Sequence, residues 1–153
     1  MVKTGLENLI QYPDADLFKN KRLGLLCNPA SIDSLYTHAA DLIGRRFKGQ
    51  LTALFSPQHG FYAEKQDNMI ESGHFTEPRL NIPVFSLYGD TRIPTLEMFD
   101  HIDLLLVDIQ DVGTRVYTFI YTVSYCLEVA AATNKTVVIL DRPNPVGGLA
   151  VEG

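Results

Sequence analysis

The sequence predicts an α/β domain, a doubly wound, mainly parallel five-stranded sheet with helices on both faces. Three observations predict it. The candidate strands are continuous apolar runs such as RLGLLCN and DLLLVDI, as expected of strands covered on both sides. They alternate with segments of helical spacing, which is the pattern of right-handed βαβ units. Each run also stops in polar residues on its carboxyl side, the edge where open parallel sheets bind ligands.

The elements follow in order. The opening MVKTGLENLIQYPDADLF has no apolar core of signal-peptide length. With Met1 as the natural start, a cytoplasmic protein is expected. Residues 22–28 form the first strand. A helix is expected over 31–47, capped by Ser31 or Asp33, with Leu35, Ala39, Leu42 and Ile43 at helical spacing. The second strand is 50–56, QLTALFS. The third is 82–88, IPVFSLY, in which Pro83 is tolerable only near the start. A short helix spans 95–101, and the fourth strand, 103–109, is the most apolar. Residues 116–133 make a long, nearly all-apolar helix, expected to be buried on more than one side, and TVVIL at 136–140 is the fifth strand. The last residues, NPVGGLAVEG, read as a loop with no closing element, so the chain is expected to be part of something longer.

Composition narrows the function classes. The 153 residues suit one domain, and 46% are apolar, which supports a sizeable core. A net charge of −5 argues against nucleic acid, whose binders show a basic face. No stretch approaches the roughly 18 apolar residues of a membrane span. Cys27 and Cys126 each sit in an apolar run and read as two buried thiols of a reducing compartment.

The chemistry gathers at the strand ends. The first strand ends at Asn28, the second runs into Ser56, Gln58 and His59, and the third into Tyr88, Asp90 and Arg92. The fourth ends in Asp108, Gln110 and Asp111, with Arg115 beyond, and the fifth in Asp141, Arg142 and Asn144. Between the second and third strands, residues 58–81 make a stretch of 24 where about 2–6 would suffice. A stretch that long at the ligand edge reads as part of a site. It carries Glu64, Asp67 and Glu71, and a glycosidase needs one protonated and one ionised carboxyl group. His59, just past a strand end, can move protons near neutral pH or simply hold the loop; His74 is a weaker candidate, and His38 and His101 read as ordinary helix residues. Asp108 and Gln110 point the same way if the chain is extended there. Arg115, near a helix start, suits an anionic group or a salt bridge to Asp108 or Asp111. In Asp141-Arg142-Pro143-Asn144-Pro145 the prolines stiffen a polar segment, and Gly147-Gly148 follow. The first strand is followed by Asn28-Pro29-Ala30-Ser31 rather than a glycine fingerprint, so no nucleotide cofactor is expected. No His/Cys spacing supports a metal.

Taken together, Asn28-Pro29-Ala30-Ser31, Ser56-Pro57-Gln58-His59-Gly60, Ser86-Leu87-Tyr88-Gly89, Arg92 with Pro94-Thr95, Asp108 through Arg115 with Tyr117-Thr118, and Asp141-Arg142-Pro143-Asn144-Pro145 with Gly147-Gly148 and Val151-Glu152-Gly153 resemble the DUF1343 family. Its characterised members are exo-β-N-acetylmuramidases of the NamZ type. The resemblance runs from about Leu6 to Gly153. It implies a Rossmann-like catalytic domain, residues 1–153, followed in the family by a smaller C-terminal domain. It also implies release of N-acetylmuramic acid from the non-reducing end of peptidoglycan fragments, in wall recycling. The resembled motif usually reads Pro-Glu-His-Gly; here Gln58 takes the place of the glutamate, and an amide cannot donate a proton as an acid does.

The expected roles follow. Glu64 is the candidate acid/base, and His59 and Gln58 orient sugar hydroxyls or water. Asp108 and Asp111 position the substrate or stabilise positive charge at the anomeric carbon. Arg115 or Arg142 pairs with the lactyl carboxylate. Asn28, Tyr88, Arg92, Gln110, Asp141 and Asn144 complete the substrate set. Assistance by the acetamido group of the substrate is a further route. The rival expectation is a non-catalytic sugar-binding protein of the same fold.

Overall fold

A computed structural model of the chain describes residues 2–58, 60–62, 73–89, 91–114 and 116–150. The elements are α1 (Gly5–Gln11), α2 (Ala15–Phe18), β1 (Leu23–Cys27), α3 (Ala39–Arg46), β2 (Leu51–Ser56), β3 (Phe75–Glu77), β4 (Ile82–Ser86), α4 (Leu96–Asp100), β5 (Leu104–Asp108), α5 (Phe119–Ala132) and β6 (Thr136–Ile139). One sheet runs in the order β3-β4-β2-β1-β5-β6. β4, β2, β1, β5 and β6 are parallel neighbours; only β3 pairs antiparallel, on the edge beside β4.

The doubly wound α/β expectation holds, with six strands instead of five. The extra strand lies within 58–81, a stretch whose sequence shows no strand pattern. Phe75, Thr76 and Glu77 pair with Val84, Pro83 and Ile82 around a turn in which Asn81 takes φ +54°. A three-residue strand containing a glutamate has no apolar run to give it away. Glu77 is nevertheless fully buried, accepting from Leu80 N (2.6 Å), Arg79 Nε (3.0 Å) and Tyr62 OH (3.2 Å). Desolvation alone would push its carboxyl up, but these bonds outweigh it and hold the group below its ordinary value.

Alternation along each strand builds two cores. Leu23, Leu25 and Cys27 of β1, Leu51 and Leu54 of β2, and Leu104 and Leu106 of β5 pack under α1 and α3. Leu26, Ala53, Phe55, Leu105 and Val107 face the other way, against Met98 and Phe99 of α4 and Cys126, Val129 and Ala130 of α5. Both cysteines are buried and free, one in each layer. α1 starts with a capping box. Thr4 Oγ1 accepts from Glu7 N (3.2 Å) and Glu7 Oε2 from Thr4 N (2.9 Å). At Gly5 the helix meets the end of β6, where Gly5 N donates to Asp141 O at 2.7 Å. A Cβ on Gly5 would lie 2.4 Å from Asp141 N, so only glycine lets the two backbones meet.

Two helices differ from expectation. α3 begins at Ala39, not Ser31, and its N-cap is His38. Residues 32–38 instead form a tight hairpin closed by an antiparallel bridge between Ile32 and His38. Asp33 Oδ1 accepts from Leu35 N (2.9 Å) and Thr37 N (2.8 Å), a local alternative to the helix ladder. Leu35 is therefore on the surface, not on an apolar face. α5 starts at Phe119, and it is not enclosed: Ile120 and Tyr121 are each 57% exposed and Leu127 is 45% exposed.

Candidate functional site

Along the parallel strands the chain runs outward from β1 in both directions, through β2 and β4 on one side and β5 and β6 on the other. The loops after β1 and β5 thus part company, and the crevice between them is where this architecture places ligands. Cys27 and Asp108 stand in register there, so Asn28 and the residues after Asp108 form its two lips.

Asn28 is buried, with its N–H on Ser31 Oγ (3.0 Å) and its Oδ1 accepting from Ala30 N (3.0 Å). Ser31 in turn donates its hydroxyl to the carbonyl of Asp108, across the crevice floor. His38 closes the lip. Its Nδ1 accepts from Ala40 N (3.3 Å) and its Nε2 lies 3.0 Å from Asn28 O, a pair of bonds that fits the neutral ring protonated at Nε2.

Beneath these atoms lies an ion pair. Arg142 Nε and Nη2 reach Asp108 Oδ1 and Oδ2 at 2.5 and 2.8 Å, and Nη2 also donates to Ile32 O at 3.0 Å. The side chains are 8% and 0% exposed. Burial pushes the Asp108 carboxyl above its ordinary value, against the opposite pull of Arg142. The fork geometry clamps the segment after β6 onto the end of β5 and onto the hairpin at Ile32.

The rim is polar and mutually braced. Gln58, past β2, accepts at Oε1 from Thr118 Oγ1 (2.9 Å), linking two loops 60 residues apart in sequence. Gln110 Nε2 donates to the carbonyls of Asp111 (2.8 Å) and Pro143 (3.2 Å). Asp111 is exposed, and its Oδ1 accepts from Gly113 N at 3.0 Å. Gly113 has φ +68°, a left-handed turn that favours glycine. Asn144 Oδ1 accepts from Val146 N (3.0 Å). Asp141 and Arg142 share a cavity of about 190 Å3 with Asp111, Val107 and Phe119. The guanidinium of Arg92 lies over the Tyr88 ring, 5.0 Å from its centroid.

A second hollow of about 330 Å3 lies on the β2 side, among Pro29, His38, Asp41, Phe61, Tyr62 and Arg79. Phe61 is buried and meets the His38 ring edge-on at 5.5 Å.

The structure thus brings Asn28, Gln58, Asp108, Gln110, Asp111, Asp141, Arg142 and Asn144 to the same sheet edge. Arg142 and Asp108, expected to meet the sugar, are bound to each other. Tyr88 and Arg92 form a pair of their own after β4. His59, Glu64 and Arg115 lie outside the described residues. His74 braces the sheet edge, accepting at Nδ1 from Ser86 N (3.0 Å). Three contributors were missed. Ser31 and His38 had been given to a helix, although a serine three residues after Asn28 is a turn signature that could have placed the first. Thr118 stands among the residues that carry the family resemblance, but nothing in the sequence pairs it with Gln58. Among the described residues no group of three or more His, Cys, Asp or Glu is placed to hold a metal ion, and no helix is long and apolar enough to cross a membrane.

Known proteins share both sequence and fold. Residues 23–153 match the family model described as exo-beta-N-acetylmuramidase NamZ, N-terminal. The chain is 42% identical over 153 residues to the peptidoglycan beta-N-acetylmuramidase NamZ of Bacillus subtilis (strain 168), covering 99% of this chain and 36% of that protein. Two crystal structures of DUF1343 family proteins from Bacteroides fragilis NCTC 9343 are similar. One has a TM-score of 0.86 at 39% identity, over 99% of this chain and 37% of the other; the second has 0.72 at 29%, over 94% and 35%. The chain therefore spans about a third of the length of these relatives. With a matching family model over most of its length, a strand order that puts a polar crevice at the β1/β5 switch point, and 42% identity to a relative across the chain, the protein belongs to the NamZ family, as its N-terminal part.

Proposed function

We propose that this chain carries a sugar-binding crevice of a glycoside hydrolase that releases N-acetylmuramic acid from the non-reducing end of peptidoglycan fragments. The observation that carries the reading is the braced polar rim at the β1/β5 switch point, in a chain 42% identical to a peptidoglycan beta-N-acetylmuramidase. Such a rim offers fixed amides and carboxylates to sugar hydroxyls, while the Asp108–Arg142 clamp keeps the lips in register. Since the Arg142 guanidinium is committed to Asp108, Arg115 is the cation we assign to the lactyl carboxylate. Gln58 has no proton to give and serves to orient; Glu64 is the acid in our reading, with Asp111 or the substrate acetamido group facing the developing charge. We place the activity in cytoplasmic wall recycling, with no cofactor.

Glu64→Gln in the full-length protein is expected to lower kcat on a chromogenic β-N-acetylmuraminide by about 10²–10⁴. Undiminished turnover would remove Glu64 from the mechanism. The second reading, a non-catalytic sugar-binding protein, is favoured by one feature: the amide at position 58 already occupied by Thr118. Binding of N-acetylmuramic acid with no turnover by the wild-type protein, and turnover gained on Gln58→Glu, would establish it.

A further inference from the structure

Thr118 departs from a rule that the other described helices keep. Each of α1, α2, α3 and α4 starts on a side chain that accepts from a backbone N–H of its first turn: Thr4 from Glu7 N, Asp14 from Asp16 N and Leu17 N, His38 from Ala40 N, and Thr95 from Met98 N. α5, at 14 residues the longest described helix, has Thr118 as its N-cap and no such bond. Residue type is not the reason, since Thr4 and Thr95 are threonines too. The backbone is. The four capping residues are extended, with ψ between 104° and 162°, whereas Thr118 is helical, with φ −92° and ψ −7°. An extended N-cap aims its oxygen at the first-turn N–H groups, and a helical one does not. The Thr118 hydroxyl is spent instead on Gln58 Oε1, 2.9 Å away. It thus holds a distant side chain rather than the start of its own helix.

That side chain gains an orientation from the contact. Gln58 follows β2, Thr118 follows β5, and β1 lies between those strands, so the bond passes over the end of β1, at the crevice. The terminal torsion of a glutamine is broad and two-fold, so an unheld amide offers a ligand its oxygen and its nitrogen alternately. Bonded at Oε1, the amide keeps one orientation and leaves its two Nε2 hydrogens as donors. Among the described residues Nε2 has no partner. Around it the exposed Asp111 and Asp141 supply acceptors, and the Arg142 guanidinium is bound to Asp108. A fixed neutral donor is what this rim otherwise lacks among the described residues, and a donor fixed in advance costs less ordering when a ligand arrives.

We propose that Thr118 is a positioning residue of the crevice, whose hydroxyl fixes the Gln58 amide so that Nε2 is presented as a donor to an acceptor oxygen of the bound sugar. This rests on the proposed function above. Thr118 acts through Gln58 alone.

The test is a double-variant cycle on the full-length protein, read by calorimetry with N-acetylmuramic acid as the probe. Thr118→Val keeps the shape of the side chain and removes the hydroxyl, and it should weaken binding by about threefold to tenfold, the worth of one ordered hydrogen bond. Thr118→Ser keeps the hydroxyl and should bind as wild type does. Gln58→Ala should weaken binding at least as much as Thr118→Val. Adding Thr118→Val to Gln58→Ala should weaken it no further, because the hydroxyl then has nothing to hold. A threonine that served only the fold around α5 would cost the same in both backgrounds. Binding left at the wild-type level by Thr118→Val or by Gln58→Ala, or an equal loss from Thr118→Val with and without Gln58, overturns the positioning role. Wild type that binds no N-acetylmuramic acid overturns the underlying functional reading, and the positioning role with it.

Discussion

Asp108 and Arg142 show how one pair of side chains can matter more to a site by holding it than by touching a ligand. Their bidentate contact is all but sealed from solvent. Removing one partner leaves the other charged and buried. Asp108→Asn or Arg142→Met should therefore each cost about 3–5 kcal/mol, read from urea unfolding midpoints. The double variant should cost clearly less than the two single costs added, because neither charge is then stranded. Strict additivity would show that the two residues stabilise the protein independently. Sequence alone displayed both residues as chemically capable strand-end groups. It could not display their pairing, since 34 positions separate them and Arg115 was an equally good partner on paper. The same limit hid the Gln58–Thr118 contact.

At the scale of elements, legibility followed unbroken apolar sequence. β1, β2 and β5 were readable as buried runs facing two cores, and β6, half-exposed, as a run of β-branched residues. β3 was not, because its stability comes from pairing and from the bonds of a buried glutamate. The hairpin over residues 32–38 was unreadable for a related reason: Asp33 and Ser31 spend their oxygens on local turns and on Asp108, so the helical spacing around Leu35 had no surface to pack on. α1 offers a pH test of its own. The Thr4 N–H, then the Ser34 contacts, hold the Glu7 carboxyl down to about 2 from an ordinary 4.5. A lowered folded value means the contribution is present above pH 4.5 and fades as pH falls toward 2. Asp103, held down to about 2 by Arg22, behaves the same way through the β1–β5 side of the sheet. Glu7→Gln should thus lower the melting temperature at neutral pH, and the gap from wild type should close as the pH approaches 2. A gap of constant size would mean that the carboxylate charge contributes nothing to the cap.

As a whole molecule, the sheet is a wall between two cores, and each core contains one cysteine: Cys27 of β1 under α1 and α3, and Cys126 on the buried side of α5. Burial, helped by the Asp108 charge, pushes the Cys27 thiol well above its ordinary value, and burial alone takes Cys126 up to about 12. Neither thiol is a nucleophile in the folded protein at neutral pH. Reaction with a thiol reagent must wait for opening, so each cysteine reports the opening of its own layer. The layers share every central strand: Leu25 and Leu26 of β1, or Leu105 and Leu106 of β5, point into opposite cores from adjacent positions. Neither layer can lose its strands without taking the other's. On that ground the two thiols should label at one common rate in low urea, with the same dependence on denaturant, as a single cooperative unit requires. The element most able to part from the rest is α5, whose outer face leaves Ile120, Tyr121 and Leu127 in water. Were α5 to detach by itself, Cys126 would label faster than Cys27, with a weaker dependence on urea. Single-cysteine variants, Cys27→Ala and Cys126→Ala, followed by mass spectrometry during labelling, separate the two cases, and the faster, urea-insensitive labelling of Cys126 would sink the single-unit account.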